Sequence, residues 1–233
     1  MKTLFFLLLA INLNTFSQIK SGTIEYGLTF SDDAQLDSGQ LGDYMKDAKK
    51  NAHLMNFVLD FENDEMIFYK KESLNTNENG DIAFAEAFSG VFGKYYRTKN
   101  VKSIFNDVDD PNTGHYIIEN KIHIDWTFTN ETKQIDQYQC FKATTFITIK
   151  NSVGEFKRAV IAWYCPSIPV PFGPKGYGDL PGLILELQER NVIFGAKKIN
   201  LNQTSIPIVK PDIKKAISET EYNTILQKFA PQE

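Results

Sequence analysis

The sequence predicts a mainly β, α+β domain: a curled antiparallel sheet, half-barrel-like, with one helix near residues 41–52 and another at the C-terminus. Three observations carry this. Many short segments alternate apolar and polar residues, the period of a half-buried strand. Tight polar turns separate them, which favours antiparallel neighbours over βαβ crossovers. So many strands should not lie flat, because twist curls a large sheet or folds it into layers.

Taken in order, Ile24, Tyr26, Leu28 and Phe30 alternate through 23–30 and make the opening strand. Leu41, Tyr44, Met45, Ala48 and Ala52 recur at helical spacing. Strands at 54–62 and 65–71 flank Asn63-Asp64, a hairpin signal. The Asn-rich stretch 72–81 reads as a loop, and 82–92 as a short helix interrupted by Gly90. Short strands are expected at 94–99, 101–106, 115–119 and 126–129, then a longer pair at 138–150 and 156–165 around Asn151–Gly154. A further pair is expected at 183–188 and 192–201. The tail, 211–229, reads as one amphipathic helix with Ser218 and Glu221 forming a capping box.

The N-terminus carries a separate signal. Lys2 precedes an apolar run from Leu4 to Ile11, and Thr15 and Ser17 are small residues at −3 and −1 of a cut before Gln18. That pattern is a secretory signal peptide over 1–17, too short to span a membrane, leaving one domain over 18–233 exported to the periplasm or beyond. No later run is long and apolar enough for a transmembrane segment. The precursor's net charge is −4, and removing residues 1–17 takes away only Lys2, so the remainder stands at −5. A mildly acidic domain with scattered cations is a poor partner for nucleic acid. Hydrophobic residues make up 42% of the chain, enough to build a substantial core.

Cys140 and Cys165 both lie on the 138–165 strand pair. If Asn151–Gly154 closes that hairpin, Lys150 faces Glu155 and, in the same register, Cys140 faces Cys165. Opposed residues on antiparallel strands stand within reach of a disulfide, and an oxidising compartment favours one. A disulfide closing this loop would stabilise the fold by about 3 kcal/mol.

Beyond Cys165 the chain reads CPSIPVPFGPKGYGDLPGLILEL. Pro169, Pro174 and Pro181 lock φ, while Gly173 and Gly182 admit conformations closed to other residues, so the segment specifies one stiff path. Tyr138-x-Cys140-x-Lys142-Ala143, Arg158, Ala162-Trp163-Tyr164, Ile168-Pro169, Gly173-Pro174, Tyr177 and Leu180–Leu185 together resemble the pattern of the GLPGLI family, exported and mostly uncharacterised proteins of the Bacteroidota. The resemblance covers about residues 138–187 and implies no settled reaction. Asp179 departs from the motif, where the family usually has glycine; aspartate tolerates positive φ better than most residues, which would keep the turn.

Candidate binding residues are Trp163, Tyr164, Phe172, Tyr177 and Leu180 along the stiff segment, against the competing reading that they pack the core. Lys142 and Arg158 are candidate anion contacts or ordinary strand-surface charges. His115, His123 and Asp125 are the candidate metal ligands, without the spacing of a recognised metal motif. Residues 107–114 carry Asp at calcium-loop spacing, but Pro111 and the missing terminal Glu make a solvated turn the better account. No nucleophile motif appears and nothing calls for a cofactor. The expectation is a non-enzymatic binding or accessory module of the cell envelope, taking an apolar ligand, a peptide or an envelope protein. The alternative is a secreted hydrolase or metal-dependent enzyme built on His115, His123 and Asp125.

Overall fold

In the computed structural model, residues 19–72, 82–121, 123–151, 154–204 and 206–229 are described. The expected signal peptide and most of the Asn-rich loop fall outside them. Strands β1 (Ser21–Phe30), β2 (Asn56–Glu62), β3 (Glu65–Lys70), β4 (Lys94–Thr98), β5 (Ser103–Asp110) and β6 (Gly114–Lys121) come first. They are followed by β7 (Thr127–Ile135), β8 (Tyr138–Asn151), β9 (Gly154–Cys165), β10 (Leu183–Glu189), β11 (Val192–Leu201) and β12 (Ile217–Ser218). Helices are α1 (Gly39–Asn51), α2 (Ala83–Ser89) and α3 (Glu219–Phe229).

All twelve strands join one sheet in the order β12-β6-β5-β4-β3-β2-β1-β11-β10-β9-β8-β7. Every neighbouring pair is antiparallel except β12 on β6. The mainly antiparallel α+β character is as expected, but the curled half-barrel is not. The sheet is open, ending in β7 on one side and β12 on the other. Its inner face is buried by added layers instead of by curling. Met45 and Ala48 of α1, Ala85 of α2, and Ile168, Phe172, Tyr177 and Leu180 of the stiff segment all enter the main core with the strands. Once helices and a packed loop cover the apolar face, closure brings no further burial.

That core is aromatic at its centre. Phe57, Phe68 and Phe194 are fully buried and pack against one another with ring centroids 5.1–5.8 Å apart. Alternation along the strands places Tyr96, Phe105 and Ile117 on the opposite face, where Ile208 and Ala216 cover them. The tail is therefore not one helix over 211–229. Its first half is a strap across the outer face with one 3-10 turn at Ile213–Lys215, and the α-helix is confined to Glu219–Phe229. The predicted capping box is present, with the Glu221 carboxylate accepting from the Ser218 backbone at 2.8 Å and Ser218 Oγ accepting from the Glu221 N–H at 3.2 Å. Gly90, read as an interruption, instead ends α2 in the left-handed conformation at φ 65°.

The β8–β9 register follows the expected rule: Lys150 pairs with Glu155 and Phe141 with Tyr164. The disulfide does not follow from it. Cys140 and Cys165 are buried free thiols. The ladder stops at Phe141 and Tyr164, because after Cys165 the chain turns away into the stiff segment. Cys140 is held from the other side by its pairing with Lys133, and Cys165 by its pairing with Leu183. Cys140 Sγ donates to the Tyr138 carbonyl at 3.8 Å, and Cys165 Sγ lies 2.9 Å from Ser167 Oγ. Opposition in register was necessary for a bond and not sufficient. Iodoacetamide labelling followed by intact-mass measurement should add two carbamidomethyl groups to the denatured protein without reductant, and none to the native protein over the same minutes. An unlabelled denatured protein that gains two groups only after reduction would contradict free thiols.

Candidate functional site

The stiff segment is fixed by buried charge as well as by proline. Beyond a register shift between Ile184 and Glu186, Leu187 and Glu189 alternate on the inner face of β10 opposite Ala162 and Val160, so Glu189 places a carboxylate where leucine would be expected. Glu189 is only 5% exposed. It is satisfied by an ion pair with Lys175 and by the Tyr177 hydroxyl, which donates to its Oε1. Burial pushes the Glu189 carboxyl upward, but the Lys175 charge and these hydrogen bonds outweigh it, and the group sits below the usual carboxylate range. Burial beside that carboxylate pushes the Tyr177 phenol strongly upward, so it remains a hydrogen-bond donor.

Lys175 reaches Glu189 from a left-handed backbone position at φ 55°, inside the short 3-10 turn Pro174–Gly176. Such strain is tolerated where the surroundings over-determine it. Gly176 is required next to it: at φ +78° an added Cβ would stand 2.5 Å from the Ile104 side chain. Arg97, whose side chain is 3% exposed, locks the far side of the turn. Its guanidinium donates to the Gly176 carbonyl at 2.9 Å and to Asp179 Oδ1 at 2.6 Å. Asp179 does adopt positive φ, at 63°, so the departure from glycine keeps the turn and supplies the counter-charge for a buried arginine. Trp126 Nε1 donates to the Gly178 carbonyl at 2.8 Å and closes the frame.

Two adjoining cavities open beside this frame. The larger, of about 450 Å³, lies under α3 and is lined by Phe92, Tyr95, Val108, Ile118, Tyr222 and Leu226, with Asn106, Asp110, Asn120, Glu219 and Asn223 as its polar groups. The second, of about 340 Å³, shares Tyr95, Asn120 and Glu219 with the first and is lined further by Ile104, Ile124, Ile147, Lys175, Tyr177 and Glu189. Their residues come from the inner faces of β5 and β6, from α3 and from the stiff segment. The Tyr95 hydroxyl donates to the Gly90 carbonyl at 3.2 Å, and burial pushes its phenol up to about 12. Asn106 is 8% exposed, and its Oδ1 is fully buried without a hydrogen-bond partner. α3 roofs the larger chamber yet contributes no fully buried residue; its ring contact is Tyr222 on Tyr116, with centroids 5.5 Å apart.

The five aromatic and apolar candidates are not brought into one patch. Phe172 and Leu180 are buried in the core, Tyr164 packs there beside Phe141, and only Tyr177 borders a cavity. Trp163 projects from the other face of β9, with Lys133 Nζ 5.5 Å and Lys142 Nζ 6.0 Å from its ring centroid. Pro169, Gly173, Pro174, Pro181 and Gly182 lie along the segment between β9 and β10, Gly182 so close to Cys165 that an added Cβ would stand 2.2 Å from its carbonyl oxygen. Lys142 is paired with Glu131 at 2.8 Å. Arg158 borders a separate open cleft of about 670 Å³ with Phe156, Lys157 and Arg190, the last engaged by Asp33. His115 pairs with Asp107 at 2.5 Å near the start of β6, while His123 pairs with Asp125 at 3.1 Å beyond its other end. The length of β6, roughly 20 Å at strand rise, separates the two histidines. Among the described residues no group of three His, Cys, Asp or Glu is arranged to hold a metal ion. The 107–114 segment is a hairpin turn in which Asp110 Oδ1 accepts from the backbone of Asn112 and Thr113, each at 2.9 Å.

A family model described as "Protein of unknown function (Porph_ging)" matches residues 150–186, a minor part of the chain that takes in β9 and the stiff segment. No curated protein matches. A solved structure titled "Structure of PNGF-II in C2 space group" superimposes with a TM-score of 0.55 at 13% identity, over 90% of this chain and 33% of that one. The likeness is one of fold. The chain spans about a third of the length of the PNGF-II chain it matches.

Two consequences can be measured. Glu189→Gln should lower stability by about 3 kcal/mol at pH 7, because it leaves Lys175 buried beside a neutral group. The wild-type advantage comes from a depressed carboxyl, so it is present above the unfolded value of about 4.3 and lost as pH falls through the folded one; urea melts of the two proteins should converge in acid. Asp179→Asn keeps a residue tolerant of positive φ but removes the counter-charge of Arg97. Because Asp179 is half exposed, a loss of about 2 kcal/mol is expected in the same assay, short of the full cost of orphaning a buried charge.

Proposed function

We propose that this chain is an exported, non-enzymatic binding module of the cell envelope, and that its site is the pair of cavities between α3, β5–β6 and the stiff segment. The observation that carries the reading is the roofing of an amphipathic chamber by a helix that gives up none of its side chains to the core. Tyr222 and Leu226 of α3 look onto the chamber with the aromatic wall of Phe92 and Tyr95 opposite. Ligand sites are commonly concave and mostly apolar with a few fixed polar groups, at volumes of about 300–1,000 Å³.

Export rests on the signal-peptide pattern of residues 1–17. The helices described here include none long and apolar enough to cross a membrane. The resemblance of 138–187 to the GLPGLI pattern overlaps the family match at 150–186, and both fall on the segment that frames the site. The hydrolase alternative built on His115, His123 and Asp125 loses its geometric basis, since those side chains stand in two places.

The test uses Nile red, a neutral polarity-sensitive dye. Saturable binding with a blue-shifted emission is expected. Asn223→Trp, a substitution at an exposed roof position that fills the chamber, should weaken binding by about tenfold or more, equal to about 1.4 kcal/mol, with an unchanged circular dichroism spectrum. Absent binding, or equal binding by the folded variant, would sink the proposal.

A further inference from the structure

The open cleft of about 670 Å³ shares no lining residue with the two chambers. One wall of it is a bare strand edge. β8 pairs with β9 from Gly154 to Tyr164, but β10 covers only Val160–Cys165, and the chain turns away at Arg190. The Arg190 N–H donates to the Ala159 carbonyl at 3.1 Å, so the odd-numbered residues of β9 turn their amides and carbonyls to this side. Lys157 is the next of them, and among the described residues no backbone bond reaches it from beyond the edge. An open edge of this kind is a template for another strand.

Side chains along the same edge select what can pair there. Phe156 and Arg158 follow Val160 on the inner face at strand period, opposite Ile149 and Ile147, and Phe156 is 49% exposed. Lys157 projects from the other face. Neither Lys157 nor Arg158 forms an ion pair with a described residue. The carboxylates nearby are already answered: Asp33 by Arg190 and Glu189 by Lys175, while Glu155 stands opposite Lys150 in the register. Burial raises the Glu189 carboxyl, and Lys175, Tyr177 and lastly Arg158 lower it, but Lys175 alone makes the ion pair. Two positive charges are therefore left beside an exposed ring and an unpaired peptide group. Like charges on this edge also oppose its pairing with the same edge of a second copy.

We infer that this cleft binds an extended acidic peptide segment, which adds to the bare edge of β9 as a short antiparallel strand in line with β10. Its central residue exchanges backbone hydrogen bonds with Lys157. The residues on either side fall beside Arg158 and Phe156, and so carry a carboxylate and an apolar side chain respectively. Backbone pairing supplies the affinity, while the two cations and the ring supply the selection. The site is separate from the chambers under α3, and no covalent bond is made or broken in its use.

The experiment titrates acetyl-Glu-Thr-Val-Thr-amide into the isotope-labelled protein and follows backbone amide chemical shifts. Saturable shifts are expected at Phe156–Ala159 and Arg190. The same peptide with glutamine in place of glutamate should bind about fivefold more weakly, and the lysine peptide most weakly of all. N-methylation of the first threonine, which removes the donor to the Lys157 carbonyl, should abolish saturation. Arg158→Gln should bring the glutamate peptide down to the affinity of the glutamine peptide, leaving the latter unmoved and the circular dichroism spectrum unchanged. Equal binding by the glutamine peptide overturns the acidic selection. Equal binding by the N-methylated peptide, or by free glutarate, shows an anion site and overturns the added strand. Shifts confined to Tyr95, Asn120 and Tyr222, or no shifts at all, defeat the inference outright. None of these outcomes alters the Nile red result, so the two sites stand or fall separately.

Discussion

Glu189 is the group around which this molecule is organised. A carboxylate at a core position of a central strand cannot stand alone, because removing an unpaired charge from water costs several kcal/mol. Lys175 and Tyr177 meet that demand, and both lie in the Pro/Gly segment, which is thereby drawn down onto the inner face of the sheet. Arg97 repeats the arrangement from β4, with its charge answered by Asp179 and the Gly176 carbonyl. The segment between residues 166 and 182 is thus bolted at both sides by buried polar contacts, with proline and glycine removing the alternatives.

This has a geometric consequence for the sheet. A rigid loop and two helices occupy the inner face, so the strands bury their apolar side without curling into a half-barrel. The space left over lies where the loop ends and α3 begins, and there the lining changes from aliphatic to mixed aromatic, amide and carboxylate. The loop therefore forms one wall of the site without being the site itself. Most of its aromatic residues are spent on packing, and Tyr177 alone joins the core to the cavity.

Much of this was legible beforehand because it is local. Strand alternation, the helix at 39–51, the capping box of Ser218 and Glu221, and the register of the β8–β9 hairpin all follow from neighbours in sequence. The stiffness of 166–182 was legible for the same reason, since proline and glycine act on their own φ. Glu189 could have been found by its spacing from Leu185 and Leu187, as the charged residue that ends an apolar strand. Asn106, Asn120 and Glu219 carried no such signal; polar residues on strand faces and helix starts are usually solvated.

By itself, then, the sequence determined the β-rich α+β class, the hairpin register and the one rigid path through the Pro/Gly segment, because each depends on short-range sterics and periodicity. The tertiary structure alone decided that the sheet stays open, that Cys140 and Cys165 remain thiols where the ladder ends, and that the candidate histidines lie apart. It also brought β5, β6, α3 and the stiff segment around one pair of cavities. These depend on which layers compete for the same apolar face and where a ladder stops, and both are settled by contacts between residues far apart in the chain.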